Sequence, residues 1–347
     1  MLSVKKEGIV LEKTIQGFEN EGVLNPAVIE ANNTIHVFYR AVRDVNYSSI
    51  GHCTLKDGLI VENRSEIPII YPQFDYEKQG MEDPRIVKIE DKYYLTYTAN
   101  DGVNALGALA ISKDLFHWEK RGLISPEYSY EEFKHLAGSR GELNEKYFRF
   151  NGNNIVPEIE GKKILVWDKN VILFPRKIEG KFYFLHRIKP DIQIISVADL
   201  SELTHNFWEN FFLEFANHIL ISPKYEHEIS FVGGGCPPIE TDYGWLLLYH
   251  GVHDSVNGYV YCVCAALLDL KNPHKEVARL PYALFKPELE WELHGTVNNV
   301  CFPTGAIVRK DILYIYYGAA DEKIGCATIS LSELLKELLF NAITNDK

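Results

Sequence analysis

Charged and amide side chains recur beside a series of spaced prolines and at the ends of the apolar segments that follow them. These groups are Gly80-Met-Glu-Asp-Pro-Arg-Ile86, Arg40, Arg43-Asp44, Asp168-Lys-Asn170, His250 and Asp321. A carboxylic acid placed among cations and hydrogen-bonding groups suits carbohydrate chemistry, because the acid must protonate a leaving oxygen while other groups hold the sugar ring. One Glu-Asp-Pro-Arg segment would more simply cap a turn, but the recurrence of such groups at equivalent positions favours one convergent site.

Other kinds of catalytic centre lack their sequence signals. The histidines show no metal-ligand spacing, and neither a serine nucleophile elbow nor a P-loop is present, so no metal and no cofactor are expected. Gly233-Gly-Gly235 lacks the following helix of a dinucleotide fold and is interpreted as a place of close backbone approach. The cysteines are Cys53, Cys236, Cys262, Cys264, Cys301 and Cys326. They are expected to be buried free thiols, because only Cys262 and Cys264 are close together and no further zinc ligands match their spacing.

An internal repeat indicates which elements position these residues. A proline is followed about a dozen residues later by an apolar, aromatic segment. The five pairs are Pro26 with Thr34–Tyr39, Pro84 with Lys92–Tyr97, Pro175 with Lys181–His186, Pro238 with Trp245–His250 and Pro303 with Ile312–Tyr317. Polar turn residues such as Asn32-Asn33 precede each aromatic segment, so each copy is predicted to be a strand, a turn and a strand.

The spacing of the copies predicts the fold. The prolines are 58, 91, 63 and 65 residues apart, which leaves room for a four-stranded sheet in each copy. We therefore predict an all-β fold, a five-bladed β-propeller, as a single catalytic domain over residues 1–347. A sandwich of unrelated hairpins is the alternative, but it does not account for the repeated order of signals.

Two segments depart from the repeat. The long second interval predicts an insertion at about 127–154, a polar stretch that is expected to be a lid or an oligomer contact, so a homo-oligomer is left open. Residues 330–340 open with Ser and Glu at capping spacing and carry leucines at helical intervals. They predict a short C-terminal helix.

Composition excludes several classes of partner. The 36 basic and 48 acidic residues of the 347 give a net charge of -12, the wrong sign for a nucleic-acid groove. No apolar stretch is long enough to span a membrane, and the charged N-terminus does not resemble a signal peptide, so a cytoplasmic protein is expected. The 20 Tyr, 18 Phe and 5 Trp favour strands and suit a sugar-binding cleft.

Taken together, the motifs resemble those of glycoside hydrolase family 130, whose members are five-bladed propellers that cleave β-mannosides by phosphorolysis or hydrolysis with inversion. The motifs that carry the resemblance are Met81-Glu-Asp-Pro-Arg85, Ser112-Lys-Asp-Leu-Phe-His-Trp118, Leu173-Phe-Pro175 with Gly180-Lys181 and His186-Arg187, Gly233-Gly-Gly-Cys-Pro-Pro-Ile239, Gly244-Trp-Leu-Leu-Leu-Tyr-His-Gly251 and Tyr317-Gly-Ala-Ala-Asp321. They span most of the chain, so the resemblance implies that the partner is a β-linked, mannose-containing oligosaccharide.

The resemblance also implies roles for individual residues. Asp83 would be the catalytic acid, with its proton passing through a hydroxyl of the bound mannose. The sugar would be held by Arg40, Arg85 and Asp321, and Arg43 and Glu82 are placed on the same substrate side. Phosphorylases of this family surround phosphate with an Arg-Asn pair, a Lys before the glycine-rich turn, and the His of Tyr-His-Gly.

This chain departs from that phosphate pattern. It has Lys169-Asn170 and His250, but Phe231 stands where the Lys is expected. A phenyl ring offers phosphate neither charge nor a donor, so this departure slightly favours water as the nucleophile, that is, an inverting β-mannosidase. Water needs a carboxylate base on the other side of the sugar, and Glu228 is the nearest candidate, with Glu226 beside it. The alternative for both is a solvated loop residue.

Three alternatives stay open at this point. A β-mannoside phosphorylase would release α-mannose 1-phosphate, with inorganic phosphate as co-substrate. A non-catalytic propeller would bind glycans and use its carboxylates only as hydrogen-bond acceptors. A propeller glycosidase acting on arabinose or xylose polymers would share the architecture and the Ser-x-Asp-Leu-x-x-Trp element.

Overall fold

A computed structural model describes residues 2–141, 143–152 and 163–342 of the chain. Strands dominate these residues and helices are few and short, so the predicted all-β class is confirmed. The strands form antiparallel units, each with four strand positions, and we number the units 1 to 5 in chain order.

Units 1 and 2 come first. Unit 1 consists of β2 (Gly22–Ala31), β3 (Thr34–Arg43), β4 (Tyr47–Lys56) and β5 (Ile60–Arg64). Unit 2 consists of β6 (Gly80–Ile89), β7 (Lys92–Asn100), β8 (Ala105–Ser112) and β9 (Trp118–Leu123). One parallel bridge between Ser48 and Gly80 joins the two units into a continuous sheet.

Units 3 and 4 follow the insertion. Unit 3 consists of β10 (Lys169–Leu173), β11 (Phe182–Arg187), β12 (Ile192–Val197) and β13 (Ile219–Ile221). Unit 4 consists of β14 (Phe231–Gly234), β15 (Ile239–Thr241), β16 (Gly244–Ser255), β17 (Gly258–Leu268) and β18 (Glu276–Arg279). The first strand position of unit 4 is divided, since β14 and β15 both pair with β16.

Unit 5 is built from distant parts of the chain. Its strands are β19 (Cys301–Arg309), β20 (Ile312–Ala319), β21 (Lys323–Ser330) and β1 (Lys5–Leu11). The first strand of the chain therefore forms the outer edge of the last unit, antiparallel to β21.

The predicted turns connect the predicted strands. Asn32 and Asn33 join β2 to β3, and both have positive φ angles of 51° and 62°. Two-residue hairpins favour turns in which both central residues have positive φ, and asparagine tolerates that conformation better than most residues. The predictions of a hairpin at each repeat are thus confirmed for this pair, and likewise at Glu90-Asp91 and Lys310-Asp311.

The hydrophobic core lies between neighbouring units. Each cluster of buried side chains combines residues of two units: Phe38 with Leu95, Leu109 with Phe184, Leu185 with Trp245, Leu246 with Ile315, and Tyr316 with Val37. In the described part of the chain the order of packing is therefore 1 to 2, 2 to 3, 3 to 4, 4 to 5 and 5 to 1. Each sheet buries both faces, which explains why its central strands are apolar on both sides.

The helices lie outside the sheets. They are α1 (Tyr130–Ala137), α2 (Lys146–Gly152), α3 (His205–Leu213), α4 (Glu290–Leu293) and α5 (Leu331–Phe340), with single 3₁₀ turns at Asp75–Glu77, Leu200–Glu202, Phe215–His218 and Glu226–Glu228. The predicted C-terminal helix is present as α5, and the Ser330 side chain accepts a hydrogen bond from the Glu333 backbone. No helix among the described residues is long and apolar enough to cross a membrane.

The insertion forms a second layer beside units 2 and 3. The helices α1 and α2 lie within the predicted range of 127–154, of which positions 142, 153 and 154 lie outside the described residues. Phe133 and Tyr147 are fully buried, and their rings contact Phe215 in the segment after α3. This segment is therefore packed through an apolar face, although its composition is polar.

The six cysteines are buried and unpaired, as predicted.

Candidate active site

A repeated buried carboxylate element fixes the second strand of several units. A tyrosine hydroxyl on that strand donates to a glutamate with no exposed surface, and a cation from the fourth strand pairs with the same carboxylate. The four sets are Tyr39, Glu19 and Arg64; Tyr97, Glu77 and Lys120; Tyr249, Glu228 and Arg279; and Tyr317, Glu292 and Lys6. A buried carboxylate is tolerated when hydrogen bonds and an opposite charge satisfy it.

This element determines which side chains face the central cavity. Side chains alternate along a strand, so the residue after each tyrosine points away from the buried glutamate. Arg40 follows Tyr39, and His250 follows Tyr249. In unit 3 the equivalent pair of positions is His186 and Arg187.

Bulges in the first strands complete the arrangement. Asn25, Asp83 and Asn170 have φ angles of 50°, 49° and 55°, and each lies at a register shift of β2, β6 or β10. Bulges redirect side chains and are common beside functional sites. A left-handed backbone conformation at a residue other than glycine is strained, and such strain is often found at functional sites. The predicted acid Asp83 is one of these three residues.

Two adjoining cavities lie where the units converge. The inner cavity has a volume of about 230 Å³ and the outer one about 490 Å³. Both are lined by Arg40, Glu82, Lys169, Val297 and Asp321. The inner cavity is also lined by Asn25, Asp83, Trp167, Arg187, Lys189, Tyr261, Val300 and Phe302. The predicted residues Arg40, Glu82, Asp83, Lys169 and Asp321 are thus brought together.

One side of the inner cavity is acidic, and we call Glu82, Asp83 and Asp321 the acidic side. The Glu82 carboxylate is 3.1 Å from Arg40 and 3.1 Å from Lys169. Burial alone would raise its pKa, but these two cations lower it to about 2, so Glu82 is ionised and internally paired.

The other two carboxyl groups of the acidic side have fewer partners. Asp83 Oδ1 accepts a hydrogen bond of 2.6 Å from Asn25 and lies 3.8 Å from Arg40. Burial raises the pKa of Asp321 to about 6, against the attraction of Arg40 and with the repulsion of Asp83. Asp321 therefore offers the pocket a carboxyl group that can hold or accept a proton near neutral pH, and Asp83 lines the same cavity.

Three cations also line the inner cavity, and we call Lys169, Arg187 and Lys189 the basic side, which meets the acidic side at the ion pair between Lys169 and Glu82. Lys169 and Arg187 are direct partners across β10 and β11. Like charges in this position destabilise a sheet. Burial, together with the charges of Arg187 and Lys169, lowers the pKa of Lys189 to about 7.

His250 extends the basic side into the protein interior. Its Nε2 is 3.0 Å from an Arg187 NH group. Burial, followed by the charges of Arg187 and Arg85, lowers the pKa of His250 well below its usual range. The neutral ring therefore accepts from Arg187 through Nε2, and its proton lies on Nδ1.

Buried polar atoms without a hydrogen-bond partner concentrate around these residues. Those close to the cavity, within the part of the chain that is described, belong to Asn25, Arg40, Arg85, Asn170, Arg187 and His250. Buried polar groups are nearly always satisfied, so a cluster of unsatisfied ones indicates a place for a polar ligand.

Two residues predicted on the substrate side, Arg85 and Arg43, do not line either of the two cavities. The Arg85 guanidinium donates to the backbone oxygens of Asp83, Pro84 and Gly235, so it fixes the bulge behind Asp83 and does not line the cavity. Arg43 is half exposed, lies 3.6 Å from Asp44 and packs on the Tyr47 ring. Strand alternation explains this, because Arg43 is three residues beyond Arg40 and points to the other face.

The predicted base Glu228 does not fit a role in activating water. It belongs to the repeated element, with its carboxylate engaged by Tyr249, Arg279 and two backbone NH groups. His227, Glu228 and Cys264 do lie within 4.8 Å of one another. Because the oxygens of Glu228 make the same bonds as the glutamates of other units, we assign it to structure and not to a metal.

Asn170 and Phe231 lie behind the basic side. Asn170 is buried at 3% exposure, and a Cβ on Gly233 would come within 2.8 Å of its Oδ1. Phe231 is fully buried, and the Lys189 ammonium lies 3.9 Å from the centre of its ring. A cation thus adjoins the position where the sequence places an aromatic ring instead of a lysine.

Sequence reasoning missed Arg187, Lys189 and Asn25 as site residues. Arg187 follows the last aromatic residue of its repeat, as Arg40 and His250 do, so alignment of the copies at that residue would have found it. Asn25 precedes a repeat proline, as Asp83 does. Lys189 lies beyond the strand, and no sequence signal pointed to it.

Comparisons with known proteins agree with the resemblance. Residues 9–339 match the family model Glyco_hydro_130, described as beta-1,4-mannooligosaccharide phosphorylase. The chain is 32% identical to a 1,2-beta-oligomannan phosphorylase of Thermoanaerobacter sp. (strain X514), over 94% of this chain and 96% of that protein. It is 36% identical to a beta-1,2-mannobiose phosphorylase of the same organism, over 90% and 91%.

Comparison with solved structures gives the same family relationship. Beta-1,2-mannobiose phosphorylase from Listeria innocua, in complex with beta-1,2-mannobiose, superposes with a TM-score of 0.73 at 25% identity, covering 97% of this chain and 99% of that one. The extent and identity of these matches establish that the chain belongs to glycoside hydrolase family 130, the family of enzymes that act on β-mannosides.

Proposed function

We propose that this protein is an inverting β-mannoside phosphorylase that releases α-mannose 1-phosphate. The observation that carries the proposal is the pairing of Lys169 with Arg187 across two strands, with Lys189 in the same cavity. Glu82 offsets the charge of Lys169, but among the described residues the buried Arg187 Nε has no hydrogen-bond partner, and an anion bound between the two cations would supply one.

Phosphate is therefore favoured over water, which reverses the preference drawn from Phe231. A hydrolase needs a carboxylate that activates water on the side away from the acid. Among the described residues that line the two cavities, the carboxylates come from units 1, 2 and 5 and their adjoining loops, and the lysines and the second arginine come from unit 3. The basic side suits an incoming anion, and its three described members, Lys169, Arg187 and Lys189, include no carboxylate that could act as a general base.

The proposed reaction uses the two sides separately. Asp83 supplies the proton that leaves with the glycosidic oxygen. A phosphate oxygen, held by Lys169 and Arg187, attacks the anomeric carbon from the opposite side, so the carbon–oxygen bond to the leaving sugar breaks as the bond to phosphate forms. Attack from the opposite face inverts the anomeric configuration from β to α. Arg40 and Asp321 hold the mannose, and no metal or cofactor enters the proposal.

The similarity supports a β-1,2-linked mannoside as the substrate. The relatives from Thermoanaerobacter are named for β-1,2-linked mannosides, although the family model is described by a β-1,4 activity. The outer cavity of about 490 Å³ leaves room for the leaving sugar beside the inner one.

We also propose that the units are the blades of one five-bladed propeller. Packing runs from unit 1 to unit 5 and returns to unit 1 through the cluster that combines Tyr316 with Val37. A ring of sheets places the first strand of each unit next to a common axis. Asp83 and Lys169 belong to such first strands, β6 and β10.

The test is to incubate the protein with β-1,2-mannobiose and β-1,4-mannobiose, each with and without inorganic phosphate. We expect α-mannose 1-phosphate, with strict dependence on phosphate and faster turnover of the β-1,2 substrate. Equal release of mannose without phosphate would instead identify a mannosidase. Calorimetric binding of the disaccharide without any turnover would indicate a glycan-binding protein.

A further inference from the structure

Unit 3 departs from the repeated tyrosine element. Elsewhere a tyrosine on the second strand donates to a buried glutamate from a preceding loop. In unit 3 the second-strand residue is His186, and its Nδ1 lies 2.9 Å and 3.0 Å from the two carboxylate oxygens of Asp168. Neither side chain has exposed surface.

The register shows that His186 occupies the tyrosine position. In unit 2, Tyr97 lies opposite the bulge that contains Asp83, between the pairs Glu82 with Thr98 and Arg85 with Thr96. In unit 3, His186 lies opposite the bulge that contains Asn170, between the pairs Lys169 with Arg187 and Ile172 with Leu185. The exchange therefore concerns an equivalent place in the fold.

The exchange shortens the link between the strands. Each glutamate of the other sets lies in a loop before the first strand, whereas Asp168 directly precedes Lys169. His186 directly precedes Arg187, so the pair ties together the two backbone positions that carry the opposed cations. A carboxylate only accepts hydrogen bonds, so the His186 Nδ1–H donates to Asp168.

The surroundings keep this link dry. The His186 ring packs against Trp208 and Phe211 of α3, with ring centres 5.6 Å and 5.3 Å apart. Hydrogen bonds to ionised groups are strong where water is excluded. A rigid link at this place opposes the separation of two side chains that repel each other.

We propose that Asp168 and His186 are a positioning pair that holds Lys169 and Arg187 at the spacing needed to bind phosphate. The inference rests on the proposed phosphorolysis and adds to it two residues that touch neither substrate. On this proposal, unit 3 has a histidine and an aspartate in place of the tyrosine and glutamate of the other units because the phosphate site needs two fixed cations.

The test compares two variants of one residue in the full-length protein. His186→Asn keeps an NH donor near the place of Nδ1, whereas His186→Leu removes it. We expect His186→Leu to raise the KM for phosphate and the calorimetric Kd for phosphate on the order of tenfold, as loss of an outer hydrogen bond does at metal sites. His186→Asn should change both by less, and the KM for mannobiose should stay within about twofold for both variants.

Asp168→Asn provides a second, isosteric variant if His186→Leu does not fold, and it should raise the KM for phosphate severalfold. Tyr317→Phe is the matched control, because it removes the 2.6 Å bond to Glu292 while the following residue, Gly318, has no side chain to position. It should lower thermal stability and leave the KM for phosphate unchanged.

The proposal is overturned if the His186 and Asp168 variants lose only thermal stability, as Tyr317→Phe does, and bind phosphate as the wild type does. That outcome leaves phosphorolysis standing, since the wild type would still require phosphate. If the wild type cleaves mannobiose in the absence of phosphate, and calorimetry detects no binding of phosphate, then both the proposed phosphorolysis and the positioning role are wrong.

Discussion

The acidic and basic sides of the inner cavity satisfy their charges in different ways. On the acidic side, Glu82 has two cations at 3.1 Å and Asp83 has Asn25 as a donor. On the basic side, Lys169 faces Arg187 across the sheet, and Lys189 lies among like charges. The acidic side is thus satisfied by its own neighbours, Lys169 included, whereas the basic side is where we propose that the anion binds.

This difference separates catalysis from recognition of the anion. A proton donor must keep a defined geometry when the site is empty, and its neighbours provide it. An anion subsite can store repulsion that binding relieves, which makes the bound state favourable relative to the empty one. Variants on the two sides should therefore affect different kinetic constants.

The largest effect is expected for Asp83→Asn on the acidic side. The amide cannot donate the proton of a carboxylic acid, so kcat should fall by about 10²–10⁴. Steady-state assays with mannobiose and phosphate measure this, and thermal unfolding serves as the control for folding. Normal kcat in this variant would remove Asp83 from the chemistry and break the comparison.

A smaller effect, on a different constant, is expected for Arg187→Met. Loss of a charge-assisted hydrogen bond costs about 1.5–3 kcal/mol, so the KM for phosphate should rise roughly 10- to 100-fold while the KM for mannobiose changes little. Arg176→Met is a matched control, because Arg176 lies between β10 and β11 of the same unit, and its partly exposed side chain pairs with Glu240 of unit 4 outside the cavities. A rise in the KM for mannobiose alone would place Arg187 on the sugar side.

The pH dependence of anion binding sharpens the comparison further. The pKa of Lys189 is about 7, so this cation loses its charge as the pH rises through that value. Sulfate keeps its charge throughout the neutral range, and we expect its inhibition to weaken by up to about tenfold above about pH 7.

Two variants separate this titration from that of Asp321, whose pKa is about 6. Lys189→Arg stays protonated and should flatten the sulfate profile between neutral and alkaline pH. Lys189→Met should bind sulfate weakly at every pH. An unchanged profile in both variants would show that Lys189 does not contact the anion.

The smallest effect on turnover is expected for Glu228→Gln. Breaking its buried pair with Arg279 should lower the free energy of unfolding by about 3 kcal/mol, with kcat within twofold at temperatures where the variant is folded. Glu77→Gln removes the equivalent carboxylate of unit 2 and should behave alike in denaturant unfolding. If kcat fell in Glu228→Gln but not in Glu77→Gln, Glu228 would again be a candidate for the general base, and hydrolysis would be favoured over phosphorolysis.

The strands and their order were predictable because each repeat contains a local signal. Aromatic and β-branched segments bounded by turn residues such as Asn32-Asn33 predict hairpins, and recurrence predicts that they are alike. Asp83, Lys169 and Asp321 were found by the same logic, because residues at equivalent places in repeated units meet in space.

The remaining residues depend on contacts that no local signal encodes. Glu228 lies five residues after Pro223, and the same spacing separates Glu77 from Pro72 and Glu292 from Pro287. This repeated spacing indicates a structural role, whereas the sequence analysis assigned Glu228 a catalytic one. Lys189 reaches the vicinity of Phe231 from the loop between β11 and β12 of another unit. A lysine from one unit that lies beside an aromatic ring of another can be found only from the packing of the units.

The pairing of β1 with β21 has a consequence for how the protein is made. During synthesis, β1 must wait for a partner that lies about 320 residues later in the chain, because Lys5 lies opposite Thr328. Until then its edge is exposed, and the lysines at positions 5 and 6 and the irregular register after them discourage pairing with other chains. Asp321 lies two residues before β21 and lines both cavities with Arg40, so the same late segment that gives β1 its partner also completes the lining of the pocket.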